Sequence, residues 1–244
     1  MMRVIVNGAL GHMGRIVADL VKEQQDMEIA ALVDPRSESE DVLASLWDVK
    51  GKADIVIDFS HHSSVIPMLD WCEKTGTCAV IATTGHDEKE RGRIKDASLK
   101  IPVFFAANMS VGIALLADMA RRAAAVFPNA DIEIVESHHN RKLDAPSGTA
   151  LFLAQAVRTV RPDAVLHSGR TGMAKREPNE IGIHSLRLGN IPGMHEIIIN
   201  TGTQSLTLKH EVYDRALFAE GAIVAARYLY GKAPGMYDMQ TMLG

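Results

Sequence analysis

Val4-Ile5-Val6-Asn7-Gly8-Ala9-Leu10-Gly11-His12-Met13-Gly14-Arg15 runs from an apolar strand through a glycine-rich turn into a helix. The glycines fall as G-x-x-G-x-x-G instead of the commoner G-x-G-x-x-G, and the chemistry they permit is the same. Gly8 allows a tight turn, and Gly11 lets backbone N–H groups approach a pyrophosphate. Gly14 lets the helix pack closely on the strand, with its N-terminus facing the anion. Glycine also collects in ordinary turns, but context favours a dinucleotide cradle. The motif opens the chain's first strand–helix unit, and the next apolar run ends at Asp34, 20 residues beyond Gly14. A carboxylate there meets the adenosine ribose hydroxyls. Asp34 favours NADH because it repels a 2′-phosphate, whereas Arg36 could pair with that phosphate and admit NADPH.

Outward from this motif the first hundred residues repeat one theme. The apolar runs Arg3–Val6, Glu28–Val33, Ile55–Phe59, Cys78–Ala82 and Ile101–Ala106 are short and nearly unbroken, as in strands buried on both faces of a parallel sheet. Helical spacing fills the intervals Gly14–Gln24, Ser63–Lys74 and Asp87–Lys100, with Ser63 and Asp87 as expected N-caps and Gly76 as an expected stop. The acidic stretch Arg36–Lys52 reads as a surface connection with at most a small helix. The implied fold is α/β, a Rossmann-like doubly wound sheet. In such sheets the ligand lies outside the carboxyl ends of the strands, here Phe59-Ser60-His61, Ala82-Thr83-Thr84-Gly85 and Ala106-Ala107-Asn108-Met109.

After Asn108 the pattern changes. Val111–Phe127 reads as a long amphipathic helix ended by Pro128. It is followed by the strands Asp131–Glu136, Gly182–Leu188, His195–Thr201 and Ser205–His210, and by helices over Gly148–Val160 and Arg215–Tyr230. Alternation in the later strands indicates an open sheet with one packed face. A second, α+β domain with a mixed sheet follows. Asn108–Val111 and Asp214–Phe218 are the expected hinges.

Composition narrows the function. Lys and Arg number 26 against 30 Asp and Glu, a formal charge of −4, which gives no electrostatic case for nucleic acid or an anionic membrane. Cys72 and Cys78 form no disulfide framework and no zinc spacing. No leader pattern or long apolar span is present, so the expected location is the cytoplasm.

The densest chemistry is Glu136-Ser137-His138-His139-Asn140-Arg141-Lys142-Leu143-Asp144-Ala145-Pro146-Ser147-Gly148-Thr149-Ala150. Ser147 begins a helix whose Gly148 and Thr149 N–H groups are available to an anion. With Arg141 or Lys142 they form a carboxylate or phosphate receptor. A histidine beside it is the natural proton donor. No metal is expected: neighbouring residues on a strand face opposite ways, and Arg141 and Lys142 repel a cation. Ser147 lacks the G-x-S-x-G elbow of a nucleophile.

This run resembles the signature of the 4-hydroxy-tetrahydrodipicolinate reductase family, formerly dihydrodipicolinate reductase: a His-His pair, a Lys, then Asp-Ala-Pro-Ser-Gly-Thr-Ala. The resemblance extends through Gly8–Gly14, Ile57–Ser60, Thr83–Gly85, Ala106–Gly112, His195-Glu196, His210, Arg215 and Gly235–Met239. It implies NADH- or NADPH-dependent reduction of a cyclic, conjugated imine-type dicarboxylate to tetrahydrodipicolinate, with loss of water, in lysine and diaminopimelate biosynthesis. By resemblance His138 is the proton donor and Lys142 the second catalytic residue, with His139, Ser147, Gly148, Thr149 and Arg215 on the substrate. Gly8, Ala9, Leu10, Gly11, His12, Met13, Asp34, Arg36, Ala82, Thr83, Thr84, Ala106, Ala107, Asn108 and Met109 then line the cofactor. The resemblance also implies a discontinuous cofactor domain over 1–109 and 216–244, closed by the late helix, and a substrate-binding domain over 110–215 whose sheet builds a homotetramer. Ala82 departs from the family's usual glycine, and the Asp34–Ile55 connection is short for the family. Another two-domain NAD(P)-dependent dehydrogenase of an amino acid or aldehyde would share the glycine turn, as would a non-catalytic NAD(H) sensor. Neither needs the dicarboxylate receptor.

Overall fold

The glycine turn lies between β1 (Met2–Asn7) and α1 (His12–Glu23) in a computed structural model that describes residues 1–244. β2 (Met27–Val33), β3 (Ile55–Asp58), α2 (Val65–Thr75), β4 (Cys78–Ile81), α3 (Glu88–Ser98) and β5 (Pro102–Phe105) follow. The runs in β1, β3, β4 and β5 are buried almost along their length, as two-sided burial requires, whereas β2, at the sheet edge, is only half-buried between Met27 and Val33. Asp87 caps α3 through a reciprocal box with Glu90, and Gly76 ends α2 at φ 70°. Ser63 is not the cap expected from sequence. It lies within a 3₁₀ turn, and Ser64 takes the cap position of α2 without a side-chain hydrogen bond.

The second unit begins with α4 (Val111–Val126) and β6 (Asp131–His138), then α5 (Gly148–Arg158), β7 (Val165–Ser168), β8 (Glu180–Arg187), β9 (Met194–Asn200) and β10 (Ser205–Glu211). Its sheet has the order β10-β9-β6-β8-β7, with β6 parallel to β8 and antiparallel to β9. Ile132, Ile134, Ile181, Ile183, Ile197 and Ile199 point from one face into a core with Ile113, Leu116 and Leu153 of α4 and α5. The exposed strand β7 carries too little apolar alternation to be seen in the sequence.

The chain then returns to the first unit through α6 (Ala216–Leu229), β11 (Gly235–Tyr237) and the short α7 (Met239–Leu243). The units comprise Met1–Met109 with Ala216–Gly244, and Ser110–Arg215. The first sheet is wholly parallel, in the order β11-β5-β4-β3-β1-β2. Strand order reverses between β1 and β3, which makes their carboxyl ends the switch point where such sheets bind ligands. α6 fits through Gly221, where a Cβ would stand 1.7 Å from the Met109 carbonyl oxygen. Both cysteines are free and buried, and burial pushes the Cys78 thiol up to about 11. No helix is long and apolar enough to cross a membrane.

Candidate active site

At the switch point Gly8 adopts φ +83°, and a Cβ on it would strike the Phe59 carbonyl at 2.7 Å. A Cβ on Gly14 would stand 2.1 Å from the Gly8 oxygen, so both positions require glycine. Gly11 is the N-cap of α1 and offers no capping side chain, which leaves the first-turn amides for an anion. A cavity of about 340 Å³ opens beside this turn. His12, Met13, Ala82, Thr83 and Thr84 line it, together with Phe59, Ser60, His61 and His62 from the end of β3.

One buried carboxylate ties this region together. Asp58 is fully buried and accepts from Asn7 Nδ2 at 2.8 Å, Ser60 Oγ at 2.5 Å and Thr83 Oγ1 at 2.8 Å. Burial raises its pKa, and hydrogen bonds from Ser60, Thr83 and Asn7 only partly offset that. The ends of β1, β3 and β4 thus converge on one side chain.

At the end of β2, Asp34 is 1% exposed and accepts the Leu10 N–H at 3.1 Å. Arg36 folds back onto it, with Nε and Nη2 each 2.9 Å from a carboxylate oxygen. That pair holds the Asp34 pKa below its ordinary value. The two residues weighed as rival cofactor readers are therefore partners. Ala82 is buried and donates its N–H to the Asp58 carbonyl at 3.0 Å. Ala106 and Asn108 are half-buried, Ala107 is exposed, and Met109 is buried under Gly221. The glycine turn, the uncapped helix, the cavity and Asp34 fit a dinucleotide.

The second half of the chemistry stands at the carboxyl end of β6. Glu136 and His138, two residues apart, share the core-facing side of the strand. Glu136 is fully buried. His138 Nδ1 lies 2.5 Å from Glu136 Oε2, and the Arg187 guanidinium reaches both carboxylate oxygens at 2.9 and 2.8 Å. Glu136 Oε1 also accepts the Ser147 N–H at 3.1 Å. Burial alone would raise the Glu136 pKa, yet hydrogen bonds from Arg187, Ser185 and His138 outweigh it and hold it at about 2. Glu136 is thus a carboxylate at neutral pH. The His138 Nδ1 proton points at it, and Nε2 remains for chemistry. A Cβ on Gly193 would approach that Nε2 to 3.3 Å.

Ser147 is the N-cap of α5, accepting the Ala150 N–H at 3.2 Å, and its hydroxyl lies 3.1 Å from His195 Nε2. The space beside Gly148 is open, so the protein's own packing does not demand glycine there. His139 Nδ1 is buried with no partner, and burial, Arg141, Arg215 and Lys142 lower its pKa. Lys142 Nζ pairs with Asp144 at 2.9 Å, and Arg141 reaches Asn190 at 2.9 Å. Arg215 is exposed at the boundary of the unit. Atoms of Glu136, His138 and His195 lie within 4.8 Å of one another, a spacing that could suit a metal. However, both Glu136 oxygens already hold the Arg187 cation, which opposes a second one.

Sequence reading assigned no role to Glu136, Arg187 or His195. Glu136 was detectable from its i, i+2 spacing to His138, whereas Arg187 and His195 join the site only through the register of β8 and β9 with β6.

The profile of the dihydrodipicolinate reductase N-terminus matches residues 2–109, and that of its C-terminus matches residues 112–243. A 4-hydroxy-tetrahydrodipicolinate reductase from Caldanaerobacter subterraneus is 42% identical over 100% of this chain and 98% of its own length. One from Clostridium tetani is 39% identical, covering 100% and 97%. The dipicolinate-bound dihydrodipicolinate reductase from Paenisporosarcina superposes with a TM-score of 0.83 at 28% identity, covering 98% and 97%.

Proposed function

The chain belongs to the dihydrodipicolinate reductase family, and from that premise we propose that its two half-sites divide the reaction between Asp58-organised cofactor binding and His138-centred proton transfer. The enzyme is an NAD(P)H-dependent oxidoreductase that reduces 4-hydroxy-tetrahydrodipicolinate in lysine and diaminopimelate biosynthesis. When bound, the reduced nicotinamide supplies a hydride from its C4. Gly8 to Met13 hold the pyrophosphate with backbone amides, Asp34 takes the ribose hydroxyls, and Arg36 turns outward to a 2′-phosphate. Thr83, Thr84 and Ala106 to Met109 border the nicotinamide, with Ala82 setting the turn.

In the other half-site, Gly148 and Thr149 N–H groups receive one substrate carboxylate at the start of α5, supported by Ser147. His139 and Arg215 contact the substrate as further donors. Lys142 leaves Asp144 to polarise the conjugated ring, and His138 in its imidazolium form, with Nδ1–H held by Glu136, gives its Nε2 proton to the carbon that becomes negative after reduction. The observation that carries this reading is that His138 and the first residue of the anion receptor are fixed by the two oxygens of one carboxylate, Glu136. A positioned proton donor contributes on the order of 10²–10⁴ in rate.

The assembly we propose is a cytoplasmic homotetramer, with no nucleic-acid or membrane partner. Support comes from the sheet face opposite α4 and α5, where Val135 and Ile198 remain partly exposed. The test is oxidation of NADH and of NADPH with freshly generated substrate. Wild type turns over both, pyridine-2,6-dicarboxylate inhibits, and His138→Gln loses ~10²-fold or more in kcat while binding NADH normally. Folded wild-type protein inactive with both cofactors overturns the reading.

A further inference from the structure

Of the groups around the proposed proton donor, the buried ion pair beneath it is the one the reaction does not consume. We infer that Glu136, opposed by Arg187, is a positioning residue that fixes the ring of His138 and sets how readily it gives up its proton. The inference rests on His138 being the proton donor.

The geometry leaves Glu136 little freedom. It is fully buried and takes hydrogen bonds from His138, both Arg187 Nη atoms and the Ser147 amide, while Arg187 also grips the Asp144 carbonyl at 2.6 Å. A lone carboxylate at this depth would protonate; the bidentate guanidinium keeps it ionised. Ionised Glu136 then accepts only from Nδ1–H, which rules out the other tautomer and aims Nε2 away from the carboxylate.

The charges around the ring oppose one another. Burial, Lys142 from the following loop and Arg187 from β8 disfavour the imidazolium, and Glu136 from β6 favours it. The His195 ring from β9 stands 5.2 Å away, edge to face. Burial and His138 press its own pKa to about 4, so it is neutral at working pH. Ser147 from α5 is uncharged. Burial, with Lys142 and Arg187, outweighs Glu136, so the His138 pKa lies below its ordinary value, and Glu136 keeps it from falling further. Together they keep it chargeable and willing to release.

The test is Glu136→Gln beside Arg187→Met, read by the NMR titration of the His138 ring in cofactor-free enzyme and by the pH profile of kcat. In Glu136→Gln the His138 midpoint falls by about one pH unit or more, the alkaline limb of kcat falls with it, and NADH affinity holds. In Arg187→Met the midpoint rises. The double variant, which buries no unpaired charge, returns toward wild type even where Arg187→Met is too unstable to measure. His138→Gln with wild-type turnover overturns the proton-donor reading beneath the inference. Inactive His138→Gln combined with an unmoved midpoint in Glu136→Gln overturns the inference alone.

Discussion

Asp58 and Glu136 are both fully buried carboxylates near the carboxyl end of a sheet strand, and they behave in opposite ways. Asp58 is met by an amide and two hydroxyls, all neutral, and its pKa is raised. Glu136 is met by a guanidinium and an imidazole, and its pKa is held at about 2. Both side chains are closed to solvent, and their partners differ in charge. Neutral donors make a knot that shapes a turn, whereas charged ones make a reservoir of field beside a titrating ring.

The largest test of this contrast is truncation. Glu136→Ala leaves the Arg187 charge without its carboxylate and costs about 3–5 kcal/mol in urea unfolding. Asp58→Ala strands only neutral donors and costs about 1–3 kcal/mol. Equal losses would break the distinction.

The pH dependence of the isosteric variants separates them by sign. Glu136 lies below its ordinary 4.5, so its stabilisation is complete above that pH and is lost as pH falls toward about 2. Asp58 is raised above 3.8, so its ionised form is disfavoured in the folded state and acidification relieves that cost. The stability deficit of Glu136→Gln should therefore shrink on acidification, and that of Asp58→Asn should grow. Denaturant midpoints at about pH 7 and about pH 3 measure both.

Asp34 offers an intermediate case, nearly buried but paired with the exposed Arg36. Arg36→Ala should raise KM for NADPH about tenfold and change that for NADH less, since an exposed partner serves ligand choice more than stability. The smallest effect is expected of Gly193→Ala, which crowds His138 Nε2 from 3.3 Å and should lower kcat by roughly threefold to tenfold without moving cofactor affinity.

The parallel sheet was legible because two-sided burial writes unbroken apolar runs, and the glycine turn because Gly8 and Gly14 admit no side chain. The helix start at Ser147 and the histidine pair just before it were legible from their local pattern. β7 and β11 were not, being short edge strands with little apolar signal. Arg187 and His195 escaped for a different reason. They are distant in the chain and meet Glu136 only after β8 and β9 pair with β6 in one register. Local sequence brings out clustered polar groups more readily than the distant residues that pack against them.

The most direct measurement is steady-state kinetics of Asp58→Asn and Glu136→Gln on the same substrate. Asp58→Asn should raise KM for NADH about tenfold with kcat within about threefold of wild type, and Glu136→Gln should lower kcat at least about tenfold with KM for NADH unchanged. If both variants move the same parameter, the two carboxylates do the same work and the account is wrong.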